Sequence, residues 1–249
     1  MKKLLLSSTC LVIVSTAAIA ADLKFPVKAP IAAAPAFSWT GCYVGLHAGG
    51  ATIHTFTATN FEGSASTSDN GSGAVAGGQA GCNYQQGNWV FGVEGEGAWS
   101  NGKVTNSMVL TGLDSVSLTT TNKSDFSIAG RAGFTFDRTL IYGKGGWVWG
   151  SFDYNSATIC CFFGTTSFRS GSYNVDGFLV GAGIEHALTR NWTVKFEYNY
   201  IGFGSKLLNV GAASSGVRVD VSTSPTKQIF KIGANYLFDL GGAPIAAKY

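Results

Sequence analysis

Residues 191–203 read Asn-Trp-Thr-Val-Lys-Phe-Glu-Tyr-Asn-Tyr-Ile-Gly-Phe, and this stretch decides the fold class. Large apolar or aromatic residues occupy every second position from Trp192 to Tyr200, and Lys195, Glu197 and Asn199 occupy positions between them. A period of two places these two sets on opposite faces of a β-strand. A strand with one aromatic face and one charged face separates two different environments.

The same alternation returns in eight segments of the chain. The predicted strands cover residues 38–51, 74–84, 89–100, 125–136, 140–152, 175–187, 191–203 and 227–238. Short connections alternate strictly with long ones rich in Ser, Thr, Gly and Asn, which cover residues 52–73, 101–124, 153–174 and 204–226. Short periplasmic turns and longer outward loops are typical of membrane β-barrels, of which eight strands is the smallest size. We therefore predict an all-β fold over residues 38–238, an eight-stranded antiparallel, up-and-down transmembrane β-barrel.

The composition excludes other classes of protein. Of the 249 residues only 12% are charged, whereas about 25% are charged in an average soluble domain. The aromatic content of 13% argues against a disordered chain. After residue 21 there is no run of apolar residues long enough for a membrane helix. A soluble lipocalin-like barrel is the alternative, but its narrow interior could not hold so many aromatic rings.

The two ends of the chain are predicted to lie outside the barrel. A basic start, an apolar stretch at residues 4–14 and the small-x-small pattern at Ala18-Ile19-Ala20 are typical of a secretory signal. We expect residues 1–21 to be a signal peptide, since a membrane anchor would need a longer apolar run. Residues 22–37 contain three prolines and are expected to form an Ala/Pro-rich periplasmic leader. Residues 239–249 are expected to be a C-terminal extension.

Strand parity assigns eight charged side chains to the interior of the barrel. They are four acids and four bases: Glu94, Glu96, Glu185, Glu197, Arg131, Lys144, Lys195 and Lys231. An unpaired charge in a confined interior is costly, so this balanced set is expected to pair across the barrel. An eight-stranded barrel is only wide enough for side chains to fill it. The hypothesis is a lumen occluded by ion pairs, and a narrow polar path gated by the same pairs is the alternative.

The other motifs do not indicate an enzyme. Glu94 and Glu96 share one strand face, but nothing suggests the cleft in which a glycosidase holds its two carboxyl groups. The three histidines lack metal-ligand spacing, and the glycine clusters lack the Gly-Lys-Ser/Thr of a phosphate loop. Lysine and arginine are not clustered as a nucleic-acid surface requires. We expect no catalytic residue, metal or cofactor and no nucleic-acid partner.

Four cysteines follow the predicted signal peptide. An even number in an oxidising compartment favours disulfides, and four thiols allow three pairings. Cys42 and Cys82 lie at the same distance from the predicted periplasmic end of two adjacent antiparallel strands. We therefore expect a disulfide between them near the periplasmic rim. Cys160 and Cys161 stay open: they could bridge each other, remain thiols or bond another chain.

Several motifs together resemble a known family. Trp39-Thr40-Gly41-Cys42-Tyr43-Val44-Gly45, Trp89-Val90-Phe91-Gly92-Val93-Glu94-Gly95-Glu96 and Asn191-Trp192-Thr193-Val194-Lys195-Phe196-Glu197-Tyr198 are similar, in order and spacing, to the Omp25/Omp31-like outer-membrane proteins (porin family) of alphaproteobacteria. The resemblance implies a barrel in the outer membrane of a Gram-negative bacterium, in contact with lipid, inserted by the barrel-assembly machinery and tied to envelope integrity.

The resemblance also bears on function. We predict a structural and surface-presenting role in the envelope, with loops offered to the environment, a host or neighbouring proteins. The first alternative is a small diffusion porin. The second is a haemin-binding or host-contact surface protein, because some members of the family are associated with those activities. His54, in the first long connection, could then contact haem, but a solvated loop histidine is the preferred interpretation.

Overall fold

The computed structural model of the chain describes residues 37–59, 66–110, 114–160, 165–212 and 218–238. The predicted signal peptide, the leader before Phe37 and the C-terminal extension lie outside the described residues, and so do Cys161 and the side chain of Cys160. Among the residues that are described, no helix is long and apolar enough to cross a membrane.

Antiparallel strands form a closed ring. In chain order they are β1 (Gly41–Thr59), β2 (Ser66–Gln86), β3 (Trp89–Ser100), β4 (Lys103–Leu110), β5 (Asp114–Phe136), β6 (Thr139–Cys160), β7 (Thr165–Ala187), β8 (Trp192–Phe203), β9 (Lys206–Ala212) and β10 (Arg218–Phe238). The ring runs β1-β2-β3-β5-β6-β7-β8-β10 and closes where β10 pairs with β1. The predicted eight-stranded antiparallel barrel is confirmed.

The apolar faces of the strands point outwards. On β3 the outward residues begin with Trp89 and end with Trp99, whose side chains are 54% and 74% exposed. Ten residues span about 33 Å along a strand, and a tilt of about 40° reduces this to a height of about 25 Å. That is the height of the lipid-facing band of a membrane barrel. The two tryptophans therefore mark the two edges of the band.

The long connections are mostly strand rather than loop, which corrects the sequence-based boundaries. Pairing between β5 and β6 continues from the Phe136–Thr139 turn to the Ser115–Ile159 pair. A strand of 23 residues such as β5 extends about 75 Å, whereas about 9–11 residues cross a bilayer. The hydrophobic alternation ends at the membrane surface because the residues beyond it are small and polar. Backbone hydrogen bonding does not need that alternation, so the strands stay paired beyond the membrane surface.

Above the lipid-facing band the ring separates into two four-stranded sheets. We call β2-β1-β10-β9 the first outer sheet and β4-β5-β6-β7 the second outer sheet. The separation arises because β3 and β8 end at Ser100 and Phe203, level with the top of the band. Within the described residues the only ladder pair between β4 and β2 is Ser72–Lys103, and β9 pairs with β10 alone. This end carries the long extensions and is the extracellular end of such barrels.

The interior has three layers. Near the short turns lies an apolar cluster of Trp39, Val90, Leu140, Tyr142 and Ala187. Charged side chains fill the middle. Towards the extracellular end a second apolar cluster includes Phe152, Tyr173, Ile201, Phe203 and Val221.

Candidate functional site: the charged barrel interior

Six strands bring eight charged side chains into the middle of the barrel. Glu94 and Glu96 come from β3, Glu197 and Lys195 from β8, and the other four from β5, β6, β7 and β10. All occupy inward positions of the alternation, and their exposed fractions lie between 0% and 7%. The structure thus places in one interior every charged residue that strand parity assigned to it.

Lys144 joins three carboxylates. Its ammonium nitrogen lies 2.7 Å from Glu197 Oε1, 2.9 Å from Glu96 Oε2 and 3.1 Å from Glu94 Oε1. Charge-assisted contacts of this length are the strong ones in a medium of low dielectric constant.

Lys195 and Lys231 contact the same carboxylates from other directions. Lys195 Nζ lies 3.0 Å from Glu94 Oε2, 3.4 Å from Glu197 Oε2 and 3.5 Å from Glu96 Oε1. Lys231 Nζ lies 2.5 Å from Glu96 Oε1 and 2.9 Å from Glu197 Oε1. The three lysines and three glutamates therefore alternate in space, and no pair of them is isolated.

Arg131 connects this cluster to Glu185. One guanidinium nitrogen lies 2.6 Å from Glu185 Oε2, and the other donates to the Tyr43 hydroxyl at 2.9 Å and lies 3.5 Å from Glu94 Oε2. The guanidinium carbon also sits 4.1 Å from the centre of the Tyr142 ring, within range of a cation–π interaction. Tyr43 donates to Glu94 in turn at 2.7 Å. The tyrosines thus extend the network, although they are not among the residues predicted from the sequence.

Neutral side chains satisfy the remaining carboxylate oxygens. Glu185 Oε1 accepts hydrogen bonds from Thr193 and from Asn235, the latter at 2.8 Å. Glu197 accepts from Tyr142 at 2.6 Å and from Asn199 at 2.7 Å. Buried charges persist when they are both paired and hydrogen-bonded, and these glutamates are both.

Three carboxylates converge in the way a metal site needs. Oxygens of Glu94, Glu96 and Glu197 lie within 4.8 Å of one another. Each of these glutamates, however, contacts at least two lysine ammonium groups within 3.5 Å. A cation would have to displace those ammonium groups. The donor set is that of an ion-pair network and does not suit a metal.

A second ion pair lies nearer the extracellular end and is not among the residues predicted from the sequence. Lys227 Nζ lies 2.5 Å from Asp125 Oδ2 and donates to Asn122 Oδ1 at 2.7 Å. Asp125 and Lys227 are the first residues of two predicted strands. Asp125 has the same strand parity as Arg131, and Lys227 the same as Lys231, so the alternation contained the signal for both. A cavity of about 30 Å³ lies between this pair and the main cluster, bordered by Asp125, Lys231 and His47.

Trp39 closes the opposite end of the interior. It precedes β1, is fully buried, and donates from Nε1 to Thr135 Oγ1 at 2.9 Å. Its backbone nitrogen donates to Gln85 Oε1 at 2.8 Å. The alternation predicts a first strand that includes Trp39. In the structure the strand begins at Gly41, and Trp39 lies before it with its indole buried beneath the barrel.

Cys42 and Cys82 form a disulfide on the outside of the wall. They are directly opposed in the β1–β2 register, near the end of the barrel that carries the short turns, and 40 residues separate them in sequence. The bond joins the start of β1 to the end of β2, and the chain between the two strands connects them at the extracellular end.

The histidines are dispersed. His54 lies on β1 above the band, with Nδ1 2.5 Å from Asn70 Oδ1. His47 faces inward against Gln79, and His186 bonds to Thr139 near a short turn. Within the described residues, each of the three histidines has a different partner, and none of these partners is another histidine.

A closed antiparallel ring with an apolar exterior bounded by tryptophans and a charged, hydrogen-bonded interior defines a transmembrane β-barrel. Comparison with known proteins identifies the family. The family model described as "Outer membrane protein beta-barrel domain" matches residues 9–238, so the chain belongs to that family and is an outer-membrane protein.

Named relatives support the Omp25/Omp31 type. The 31 kDa outer-membrane immunogenic protein of Brucella melitensis is 32% identical, with 96% of this chain and all of the relative covered. The 25 kDa outer-membrane immunogenic protein of the same species is 31% identical, with 96% of this chain and 99% of the relative covered. The 22 kDa outer membrane protein of Rhizobium leguminosarum is 31% identical over 72% of each chain. These names are those of outer-membrane proteins, and none of them names an enzyme.

A solved structure shows the same fold. The outer membrane protein OprG of Pseudomonas aeruginosa is similar with a TM-score of 0.53, at 15% identity, over 81% of this chain and 99% of that one. At this identity the similarity concerns the fold alone.

Proposed function

We propose that the protein is a structural and surface-presenting component of the outer membrane, with a lumen occluded by ion pairs and two outer sheets held above the bilayer. The barrel-assembly machinery is the expected route of insertion, and outer-membrane lipid is the expected surrounding. The observation that carries the proposal is the interior network around Glu94, Lys144 and Lys195.

Occlusion is supported by three successive features along the barrel axis. Trp39 and its apolar neighbours lie at the lower end, the ion-paired cluster lies in the middle, and the Asp125–Lys227 pair with the outer apolar cluster lies above. A hydrated ion would have to break several short ion pairs to pass. Barrels with aqueous channels have about 16–18 strands, twice as many as this one.

A surface role is supported by the outer sheets. Strands β5, β6 and β7 each have more than twenty residues, about twice what a bilayer crossing needs. This length holds the connections well above the lipid. The two Brucella relatives are named outer-membrane immunogenic proteins, and this name is consistent with protein exposed at the cell surface.

The absence of catalysis is part of the proposal. Glu94 and Glu96 are the carboxylate pair that a hydrolase would use, but lysines hold both of them inside the barrel. A general acid and base must reach a substrate. We expect no turnover dependent on these residues.

Occlusion is tested by reconstituting the refolded protein in liposomes and in planar bilayers. Heat-dependent gel migration and a β-sheet circular dichroism spectrum first show that the barrel is folded. We expect no single-channel steps and no swelling of liposomes in arabinose. Steady ohmic openings would overturn the occluded lumen and favour the small diffusion porin.

Surface presentation is tested on intact cells with an epitope inserted between β1 and β2. We expect antibody to bind these cells without permeabilisation. The matched control carries the same epitope at the Gly87-Asn88 turn and should bind antibody only after the outer membrane is permeabilised. The reverse pattern would overturn the orientation.

A further inference from the structure

Two arginines lie on neighbouring short turns, at the end that is periplasmic in such barrels. Arg138 is in the turn between β5 and β6, Arg190 is in the turn between β7 and β8, and both are exposed. The turns are adjacent, because the Ala187 nitrogen donates to the Arg138 carbonyl at 2.8 Å. Arg190 follows Ala187 by three residues, which span at most about 11 Å. We call Arg138 and Arg190 the basic rim.

Hydrogen bonds hold the turn that carries Arg190 against the barrel wall. The Leu188 nitrogen donates to the Trp192 carbonyl at 2.9 Å, which closes the turn. Asn191 Nδ2 donates to the Leu237 carbonyl of β10 at 2.9 Å, which ties the turn to the next strand of the ring. The neighbours of Arg190 are therefore engaged within the wall, whereas Arg190 itself stays exposed at a fixed place.

The basic rim has no carboxylate partner among the described residues. None of the ion pairs between them includes Arg138 or Arg190. Asp137 is the one acidic residue on the short turns, so two positive charges stand against one negative charge. The upper edge of the lipid-facing band differs, because the exposed Lys123 is paired there with Asp153 at 3.2 Å. An anion from outside the chain therefore has an unneutralised site at the basic rim.

Apolar side chains beside the basic rim place it at the surface of the bilayer. Phe136 of β5 and Trp192 of β8 are outward residues next to the two turns, and Leu188 follows β7; their side chains are between 51% and 60% exposed. Aromatic residues gather where acyl chains meet headgroups, so the neighbouring arginines lie at the depth of the lipid phosphates. Arginine stems pack along apolar surface while the guanidinium groups stay in the polar layer.

We propose that the basic rim binds the phosphate group of an anionic phospholipid in the periplasmic leaflet. A guanidinium group presents a planar set of N–H donors that matches phosphate oxygens in pairs. The excess of positive charge on the turns favours a headgroup with a net negative charge over a zwitterionic one. The inference rests on the proposed envelope role and deepens it, since it names the lipid that the periplasmic end prefers.

A phospholipid fits the basic rim better than a soluble polyanion does. Phe136, Leu188 and Trp192 offer apolar surface directly beside the arginines, and the acyl chains of the bound molecule cover that surface. A soluble polymer has no apolar part to place there. The charged and apolar groups are thus arranged in the order in which headgroup and chains follow one another in a phospholipid.

Brominated lipids measure the preference. Bromine on an acyl chain quenches a tryptophan that it touches, so a variant that retains only Trp192 reports the lipids beside the basic rim. It is reconstituted in equimolar phosphatidylglycerol and phosphatidylcholine, with bromine on one lipid or on the other. We expect phosphatidylglycerol to bind about threefold or more tightly, because each arginine near an anionic surface strengthens binding about fivefold and several lipids contact Trp192. A variant that retains only Trp149, at the other edge of the band, should give a ratio of about one.

Substitution assigns the preference to the basic rim. Arg138→Gln together with Arg190→Gln, in the protein that retains only Trp192, should bring the ratio to about one. The matched control removes two exposed lysines of the opposite end, Lys103→Gln with Lys123→Gln, and should leave the ratio unchanged. Heat-dependent gel migration shows that each variant is folded. A ratio of about one before substitution, an unchanged ratio after removal of both arginines, or the same preference at Trp149 would overturn the proposal.

Two further measurements identify the source of the anion. Sodium phosphate and sodium chloride at equal ionic strength should weaken the preference equally, because both only screen charge. A loss specific to sodium phosphate would assign the basic rim to free phosphate and overturn the lipid. Retention on purified peptidoglycan that depends on both arginines, without a lipid preference, would assign the rim to a polymer and would also overturn it. These measurements use symmetric vesicles or purified material, so they stand or fall separately from conductance and cell topology.

Discussion

Single buried charges in this barrel depend on their partners. Lys195 is fully buried and lies within 3.5 Å of three glutamates. Removing one member of a buried ion pair leaves an uncompensated charge in a medium of low dielectric constant, which typically costs about 3–5 kcal/mol. The stability of the barrel should therefore respond strongly to a change at one interior position.

Lys195→Met is expected to lower the free energy of unfolding by about 3–5 kcal/mol, because Glu94 and Glu197 lose an ammonium group. Urea unfolding of the protein in detergent micelles measures this free energy. The matched control is Lys123→Met, which removes a surface pair with Asp153 at 3.2 Å and should cost less than about 1 kcal/mol. Equal losses in the two variants would contradict a stabilising interior network.

At the scale of elements, the disulfide ties β1 to β2 at the end of the barrel where β1 also meets β10. Cys42 and Cys82 are separated by 40 residues, and closing a loop of that size removes about 4 kcal/mol of chain entropy from the unfolded state. The hairpin is thereby held at both ends.

Replacing Cys42 and Cys82 together by serine is expected to destabilise the barrel by up to about 4 kcal/mol, because the unfolded chain regains that freedom. The midpoint of urea unfolding reports the change. Dithiothreitol should lower the midpoint of the unsubstituted protein by a similar amount and leave the double variant unchanged. A further decrease in the double variant would assign the effect to other cysteines.

For the molecule as a whole, the tryptophans report the position of the barrel relative to the bilayer, because some lie at the edges of the lipid-facing band and one lies in the interior. Trp89 and Trp99 bound the lipid-facing band, whereas Trp39 is buried beneath the barrel. Fluorescence quenching by lipids that carry a quencher at a known depth therefore reads the position of the barrel in the bilayer.

We expect variants that retain only Trp89 or only Trp99 to be quenched most by a quencher near the headgroups, because aromatic residues form girdles at the two interfaces. The variant that retains only Trp39 should be quenched little at any depth. Strong quenching of Trp39, or maximal quenching of Trp99 at the bilayer centre, would contradict the placement of the band.

The lipid-facing band could be predicted almost completely from the chain. Residues such as Phe196 and Lys195 alternate because lipid lies on one side of the wall and a narrow interior on the other, and a period of two reports both. Predicted ends such as Ser100 and Phe203 agree with the structure because hydrophobic alternation ends where the lipid does. The outer sheets escaped prediction because most of their residues are small and polar, and the few buried apolar ones, such as Leu118 and Val221, do not give a continuous period of two.

Local periodicity thus sufficed for the strand faces, the number of crossings and the inward position of Glu94, Lys144 and Lys195. It could not specify that these three meet, because contacts across the lumen depend on the tilt and stagger of the closed ring, which no single strand encodes. The indole of Trp39 beneath the barrel and the Asp125–Lys227 pair are likewise products of closure. They arise where residues far apart in sequence meet in space, and that meeting is a property of the assembled wall.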